Sequence, residues 1–241
     1  MYPQAFFQLQ IAFARKVAAI TSLSLSDSLL RYTALARIIG LGWQVADDDA
    51  VWGEFVSLAI QGDDHAYGFY AQRFPQIPRF EDQPHWGCFA YEYSPERALV
   101  RIHFGASDGS TYGPLSTLRL PIRMADLRSM FSHIRQHAPL ATAVRGGSWL
   151  YNRREYQRLF PEQYVASAQP IAPHYRARAL WGQFLRSNGE MNSEVADTFQ
   201  QRVPLIHTVE DIPRCFPYPV LETTAPIALF YEFYGICILD T

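Results

Sequence analysis

His133 and His137 stand four apart in a stretch of helical spacing, which would aim both imidazoles the same way, as metal ligands on a helix must be. A zinc-peptidase helix needs a glutamate directly after the first histidine, where Ile134 stands, and no cysteine or carboxylate is fixed nearby as a third ligand. No metal is expected there. His137 would meet the carbonyls of the helix end and His133 would be solvated. Arg101 and His103, two apart, share one face of any strand that contains them. On the floor of a cleft a neutral His103 would act as general base near neutral pH; otherwise it makes a cross-strand hydrogen bond or faces solvent. Asp63, Asp64 and His65 follow a helix-ending glycine and read as a solvated loop.

Gly146, Gly147, Ser148, Trp149 and Leu150 fall between a predicted strand and a predicted helix, where a serine hydrolase places its nucleophile on a strained turn. That pattern requires a small residue where Leu150 stands. The alternative is a tight turn for which Gly146 and Gly147 supply positive backbone dihedrals. Asn152 is read as an N-cap, with Glu155 completing a capping box and Tyr151 and Tyr156 in the staple positions. Arg153 and Arg154 at that helix start would meet a phosphate or remain solvated. The chain has no GxGxxG opening a helix and no GxxxxGK[ST], so conventional dinucleotide and P-loop binding lose support.

The elements that must position these residues change character along the 241 residues. Phe6, Leu9, Phe13, Val17 and Ile20 form an apolar stripe on a helix over 4–21. A second helix is expected from an N-cap at Ser26 until Gly40 and Gly42, and a third after Asp47, Asp48 and Asp49, ending at Gly62. The run FPQIPRFEDQP, with three prolines, reads as a linker over 74–84. Aromatic and β-branched residues over 86–93 and 98–104 predict a hairpin turning at Ser94, Pro95 and Glu96. A surface loop over 105–121 leads to a helix through Met124, Leu127, Met130, Phe131 and Ile134 that Pro139 ends. Strands are expected over 140–145, 164–171 and 179–185, a helix over 193–203, irregular or edge structure over 206–221, and a short last helix with Pro226 in its first turn and Gly235 as its C-terminal cap.

From residue 86 onward the order hairpin, loop, helix, strand, short helix, strand, strand resembles the core of the GNAT N-acyltransferase superfamily. Asn152 with Tyr156, Leu159 and Phe160 is similar to the family's asparagine and tyrosine-containing helix, and so is the second stretch Phe230-Tyr231-Glu232-Phe233-Tyr234-Gly235-Ile236. The resemblance implies transfer of an acyl group from acyl-CoA to an amine. Tyr156 or Tyr231 would be the proton donor, acyl-CoA would lie by Arg145, Gly146, Gly147 and Asn152 where two parallel strands part, and Trp149 and Tyr151 would meet the substrate. Where the family's spaced glycines bind pyrophosphate, this chain reads Arg119-Leu120-Pro121-Ile122-Arg123.

Composition bounds the rest. With 49% hydrophobic, 15% aromatic and 18% charged residues the chain has ample material for a core, and a net charge of -2 offers no broad positive field to nucleic acid. Cys88, Cys215 and Cys237 are odd in number and without a CxxC pair, which fits a reducing, cytoplasmic setting. No uncharged run reaches the roughly 18 residues of a membrane span and no cationic leader precedes the first apolar stretch, so neither a membrane nor export is expected. The expected architecture is α+β: a helical N-terminal region over 1–73 packed on a mixed, largely antiparallel sheet flanked by helices over 85–241, or the whole as one composite domain. The partner is a small-molecule substrate or a protein, a homodimer included, since the aromatic load exceeds what one monomer usually conceals. Three functions follow: a GNAT-like acyltransferase, a non-enzymatic interaction or regulatory protein, and a serine hydrolase.

Overall fold

A computed structural model of the chain describes residues 1–77, 82–105 and 112–236. The helices are α1 (Gln4–Thr21), α2 (Leu25–Tyr32), α3 (Leu35–Ile38), α4 (Ala50–Gln61), α5 (Asp63–Arg73), α6 (Leu120–His137), α7 (Arg154–Gln157), α8 (Glu162–Ala166), α9 (Arg178–Trp181), α10 (Ser193–Arg202) and α11 (Ile227–Phe233). The strands are β1 (Phe89–Ser94), β2 (Leu99–Phe104), β3 (Ala143–Ser148), β4 (Gln169–Pro170) and β5 (Leu221–Pro226). The fold is α+β. It divides into two compact units, Met1–Pro78 with Ala172–Pro219 and Arg79–Ile171 with Val220–Thr241. The first change of unit falls inside the proline-rich stretch over 74–84, of which residues 78–81 lie outside the described residues. Residues 172–219, read from sequence as part of the sheet domain, pack with the N-terminal helices instead.

The first unit is helical. α1 buries Phe6, Phe7, Leu9, Phe13 and Val17, the face that the steps of three and four mark out. Ser24, not Ser26, caps α2, its hydroxyl accepting from the Asp27 amide at 3.0 Å, and Asp49 caps α4 through the Trp52 amide at 2.9 Å. Asp63 and Asp64 are not in a loop: they open α5, where their charge suits the free amides of the first turn. The core is aromatic. The Phe13 ring meets Trp181 and Phe216 edge-on, and Phe184 packs on Phe199 at 4.9 Å. Gln183, fully buried, spends its amide on the carbonyls of Leu180 and Tyr218 and accepts from the Tyr218 amide, so it ties two turns together with no polar atom left dry.

In the second unit the strands lie in the order β1-β2-β3-β5-β4. The β1–β2 hairpin, the β3–β5 pair and the β5–β4 pair are antiparallel, and β2–β3 is parallel, so the sheet is mixed and largely antiparallel. Leu127, Met130, Phe131 and Ile134 of α6 share a core with Val100, Val144, Phe230 and Tyr234. Several expectations need correcting. Gly146 and Gly147 are not a turn but paired residues of β3, opposite Thr223 and Glu222. Of the strand expected over 164–171 only Gln169–Pro170 pairs, as β4, while residues 162–166 coil into α8; residues 178–184, expected as a strand, coil into α9 and a 3₁₀ turn with Leu180, Trp181 and Phe184 buried at helical spacing. β5 begins at Leu221, where the expected irregular or edge stretch ends, and fills residues to which no element was assigned; six residues of the loop over 105–121, namely 106–111, lie outside the described residues. Asn152 does not cap α7; Arg153 holds that position and no side chain bonds there.

Candidate functional site

The parallel pairing of β2 and β3 covers only Leu99–Ala143, Val100–Val144 and Arg101–Arg145. Beyond Arg145 both strands continue without pairing to each other, β2 to Phe104 and β3 to Ser148. Tyrosines stand at this parting. Tyr156 of α7 meets Phe104 edge-on at 5.5 Å and Tyr151 at 5.1 Å, while the hydroxyls of Tyr151 and Tyr164 lie 2.7 Å apart. Both hydroxyls press on Gly146, where a Cβ would overlap them. Tyr151, Tyr156 and Tyr164 are exposed by 2% or less, and burial pushes all three phenols above their usual range, Tyr156 and Tyr164 furthest. They are neutral packing groups with a polar tip.

The other residues singled out from sequence have separate surroundings. Arg145 pairs with Glu222 across β5. Gly147 faces open space. Asn152 donates from Nδ2 to the Trp149 carbonyl at 2.7 Å, which closes the 3₁₀ turn Trp149–Asn152. Trp149 is half-buried. Ser148 Oγ accepts from the Leu150 amide at 3.1 Å, and among the described residues no histidine is bonded to it. His103 lies with Nε2 3.4 Å from Glu92 Oε2 across the hairpin, burial holding its pKa below the ordinary value against the pull of the carboxylate. Tyr231 is buried on α11, its pKa raised by that burial. Among the described residues no hydrogen bond links Tyr156, Tyr231 and His103.

The structure opens elsewhere in this unit. Gly87 adopts φ +56°, which lets Trp86 and Phe89 exchange backbone hydrogen bonds of 2.7 and 2.9 Å across a tight turn. The turn brings the Trp86 ring to 5.6 Å from Tyr91 and 4.8 Å from His133. With Gln83 and Pro84 these three rings line a cleft of about 240 Å³. Tyr91 Oη is 3.0 Å from His133 Nδ1. Burial raises the Tyr91 pKa, while burial and then the neighbouring His137 lower that of His133. Both shifts favour neutral partners, so the phenol donates to a neutral imidazole. His137 stacks on His133 at 3.8 Å and 11°, and its Nδ1 donates to the His133 carbonyl at 3.0 Å, the terminal-carbonyl contact its position suggested. His133 is therefore not simply solvated. No group of three or more His, Cys, Asp or Glu side chains among the described residues could hold a metal.

Sequence reasoning passed over Trp86 and Tyr91 as hairpin residues. The available signal was the glycine between Trp86 and Cys88, which marks a place where the chain must fold back.

No protein family, curated protein or solved structure that was compared matches this chain.

Proposed function

We propose that the chain is a non-enzymatic interaction or regulatory protein, and that its second unit takes hold of a partner through the cleft of Trp86, Tyr91 and His133. One contrast carries this reading. The tyrosines expected to donate a proton, Tyr156 and Tyr231, are buried, whereas the rings that reach an open concavity are those of an aromatic grip. At about 240 Å³ the cleft is smaller than ordinary cofactor or drug sites, which run from about 300 Å³ upward, and matches a single side chain of a protein partner. Aromatic rings and a neutral imidazole favour a flat, weakly polar group there.

Saturation-transfer NMR with phenol and indole tests the grip: both should receive saturation from the protein, and Trp86→Ala should abolish it. Equal transfer to the variant would remove the cleft from the proposal. The partner includes a second copy of the chain, which light scattering at micromolar concentration checks by mass. The setting we assign is the cytoplasm, because the three cysteines are odd in number and form no CxxC pair. Among the described residues no helix is long and apolar enough to cross a membrane.

Acyl transfer stays as a second reading on one observation, the parting of β2 and β3 after Arg145. It requires Tyr151 and Tyr156 to leave the gap before acyl-CoA enters. Calorimetric titration with acetyl-CoA separates the two: no heat and no thermal shift supports the interaction reading, and saturable heat overturns it in favour of the enzyme.

A further inference from the structure

The helical unit carries an unbalanced group of cations. The Arg37 guanidinium stacks on the Trp43 ring at 3.9 Å. Arg178 donates to the Arg37 carbonyl at 2.6 Å, and Arg176 to the Gly42 carbonyl at 3.4 Å. These contacts hold three guanidinium groups around the turn that follows α3. No ion pair joins any of them to a described carboxylate, although Arg15, Arg31, Arg123, Arg145, Arg153 and Arg214 each have one. Burial first, then Arg178 and Arg176, depress the Arg37 pKa, and no acid appears among the charges acting on it. Arg176 Nε is buried without a hydrogen-bond partner. The Trp43 side chain is 52% exposed beside them.

Like charges gathered this closely repel one another, and a surface arginine is free to swing away unless something holds it. Here backbone carbonyls and an indole ring supply the hold, so the forks are fixed before any ligand arrives. Preorganised guanidinium donors with no internal counter-ion suit a multiply charged tetrahedral anion, which accepts several charge-assisted hydrogen bonds at once. We propose that Arg37, Arg176 and Arg178 bind the phosphate group of a small phosphate-bearing ligand. Trp43 flanks the site and offers its exposed surface to whatever the phosphate carries. The site is independent of the aromatic cleft and stands whether or not that cleft binds a partner.

Calorimetry on the full chain with pyrophosphate, and separately with adenosine monophosphate, tests it. At least one should bind saturably, and the affinity should fall as salt rises. Arg176→Gln with Arg178→Gln should weaken it about tenfold or more, as loss of charge-assisted bonds does. A far-ultraviolet spectrum and melting temperature matching the parent establish that the double variant folds; if it does not, Arg178→Gln alone, at an exposed position, is read in its place. A tighter adenosine monophosphate than pyrophosphate points to stacking on Trp43, and equal affinities to the phosphate alone; either supports the site. No saturable binding of either probe up to about 10 mM, or affinities unchanged in the arginine variants, overturns it.

Discussion

The hydroxyls of Tyr151 and Tyr164 meet at 2.7 Å directly over Gly146, on the stretch of β3 that has already parted from β2. A strand residue without a side chain is what permits this. The rings sit where a third residue's Cβ would otherwise stand, and Thr223, paired opposite Gly146 on β5, is buried beside them. The parting of two parallel strands, which in an acyltransferase would admit a cofactor, is here occupied by the protein's own aromatic side chains.

Gly146→Ala is therefore expected to be costly. Its new methyl would overlap both hydroxyls, and neither ring can swing into solvent because both are enclosed. Overpacking of this kind costs about 1–3 kcal/mol, and the upper end is expected here. Urea unfolding of the variant gives the number. Gly147→Ala, next along the strand with open space at its Cβ, is the control and should lie within about 0.5 kcal/mol of the parent. Equal losses at the two positions would show that the tyrosines can yield.

The hydroxyl pair itself should contribute a measurable coupling. Tyr151→Phe and Tyr164→Phe each remove one side of a buried hydrogen bond and leave the other hydroxyl in a dry site, at about 1–2 kcal/mol apiece. Removing both leaves no orphan at that contact. The double variant should thus lose less than the two single losses combined, by about 1 kcal/mol, and a strictly additive cycle would mean that Thr223 or another neighbour takes over each time.

How much of this was legible in the sequence depended on whether a residue's surroundings were local. The stripe of α1, the core face of α6 and the hairpin turning at Pro95 follow from periodicity and turn chemistry, which the chain carries within a dozen residues. The α+β class followed from the change of period near residue 86. β5 was missed because Leu-Glu-Thr-Thr-Ala-Pro is polar for a strand flanked on both sides, and its partners β3 and β4 lie far away in sequence. α8 and α9 were mistaken for strands because helices of five and four residues are too short to display a helical period. Gly146 and Gly147 looked like a turn, since nothing near them in sequence announces the tyrosine hydroxyls that one of them must accommodate. The cleft was least legible of all. Trp86, Tyr91 and His133 come from a turn, a strand and a helix, and only the fold brings them together.

Thiol reactivity follows from burial. Cys88 is fully enclosed and receives a hydrogen bond from Arg123, and burial pushes the Cys215 thiol up to about 11. In a Cys237→Ser variant, which leaves only these two thiols, iodoacetamide near neutral pH should add nothing to the folded protein over the time in which it fully modifies both in denaturant. Intact-mass spectrometry reads the adducts. Prompt modification of the folded variant would mean that one of these sites opens far more often than its packing implies.

The stacked histidines set a pH response whose sign can be worked out. Burial first and His137 second favour the neutral form of His133, so its folded-state pKa lies below the unfolded value of about 6.5. In the range just below that value the unfolded chain binds the proton more readily. The stability contributed by keeping His133 neutral is then complete above the unfolded pKa, and it is lost as pH falls through that value toward the folded one. Protonation of His133 would also put charge on the ring stacked at 3.8 Å against His137 and take away the lone pair that accepts from Tyr91. Histidine ring protons followed by NMR should give His133 a midpoint below the ordinary histidine value. His137→Gln should move that midpoint upward by removing the neighbouring charge while keeping a side chain at that position. If the midpoint does not move, desolvation by Trp86 and Tyr91 alone sets it, and the ring pair plays no part in the response of the cleft to acid.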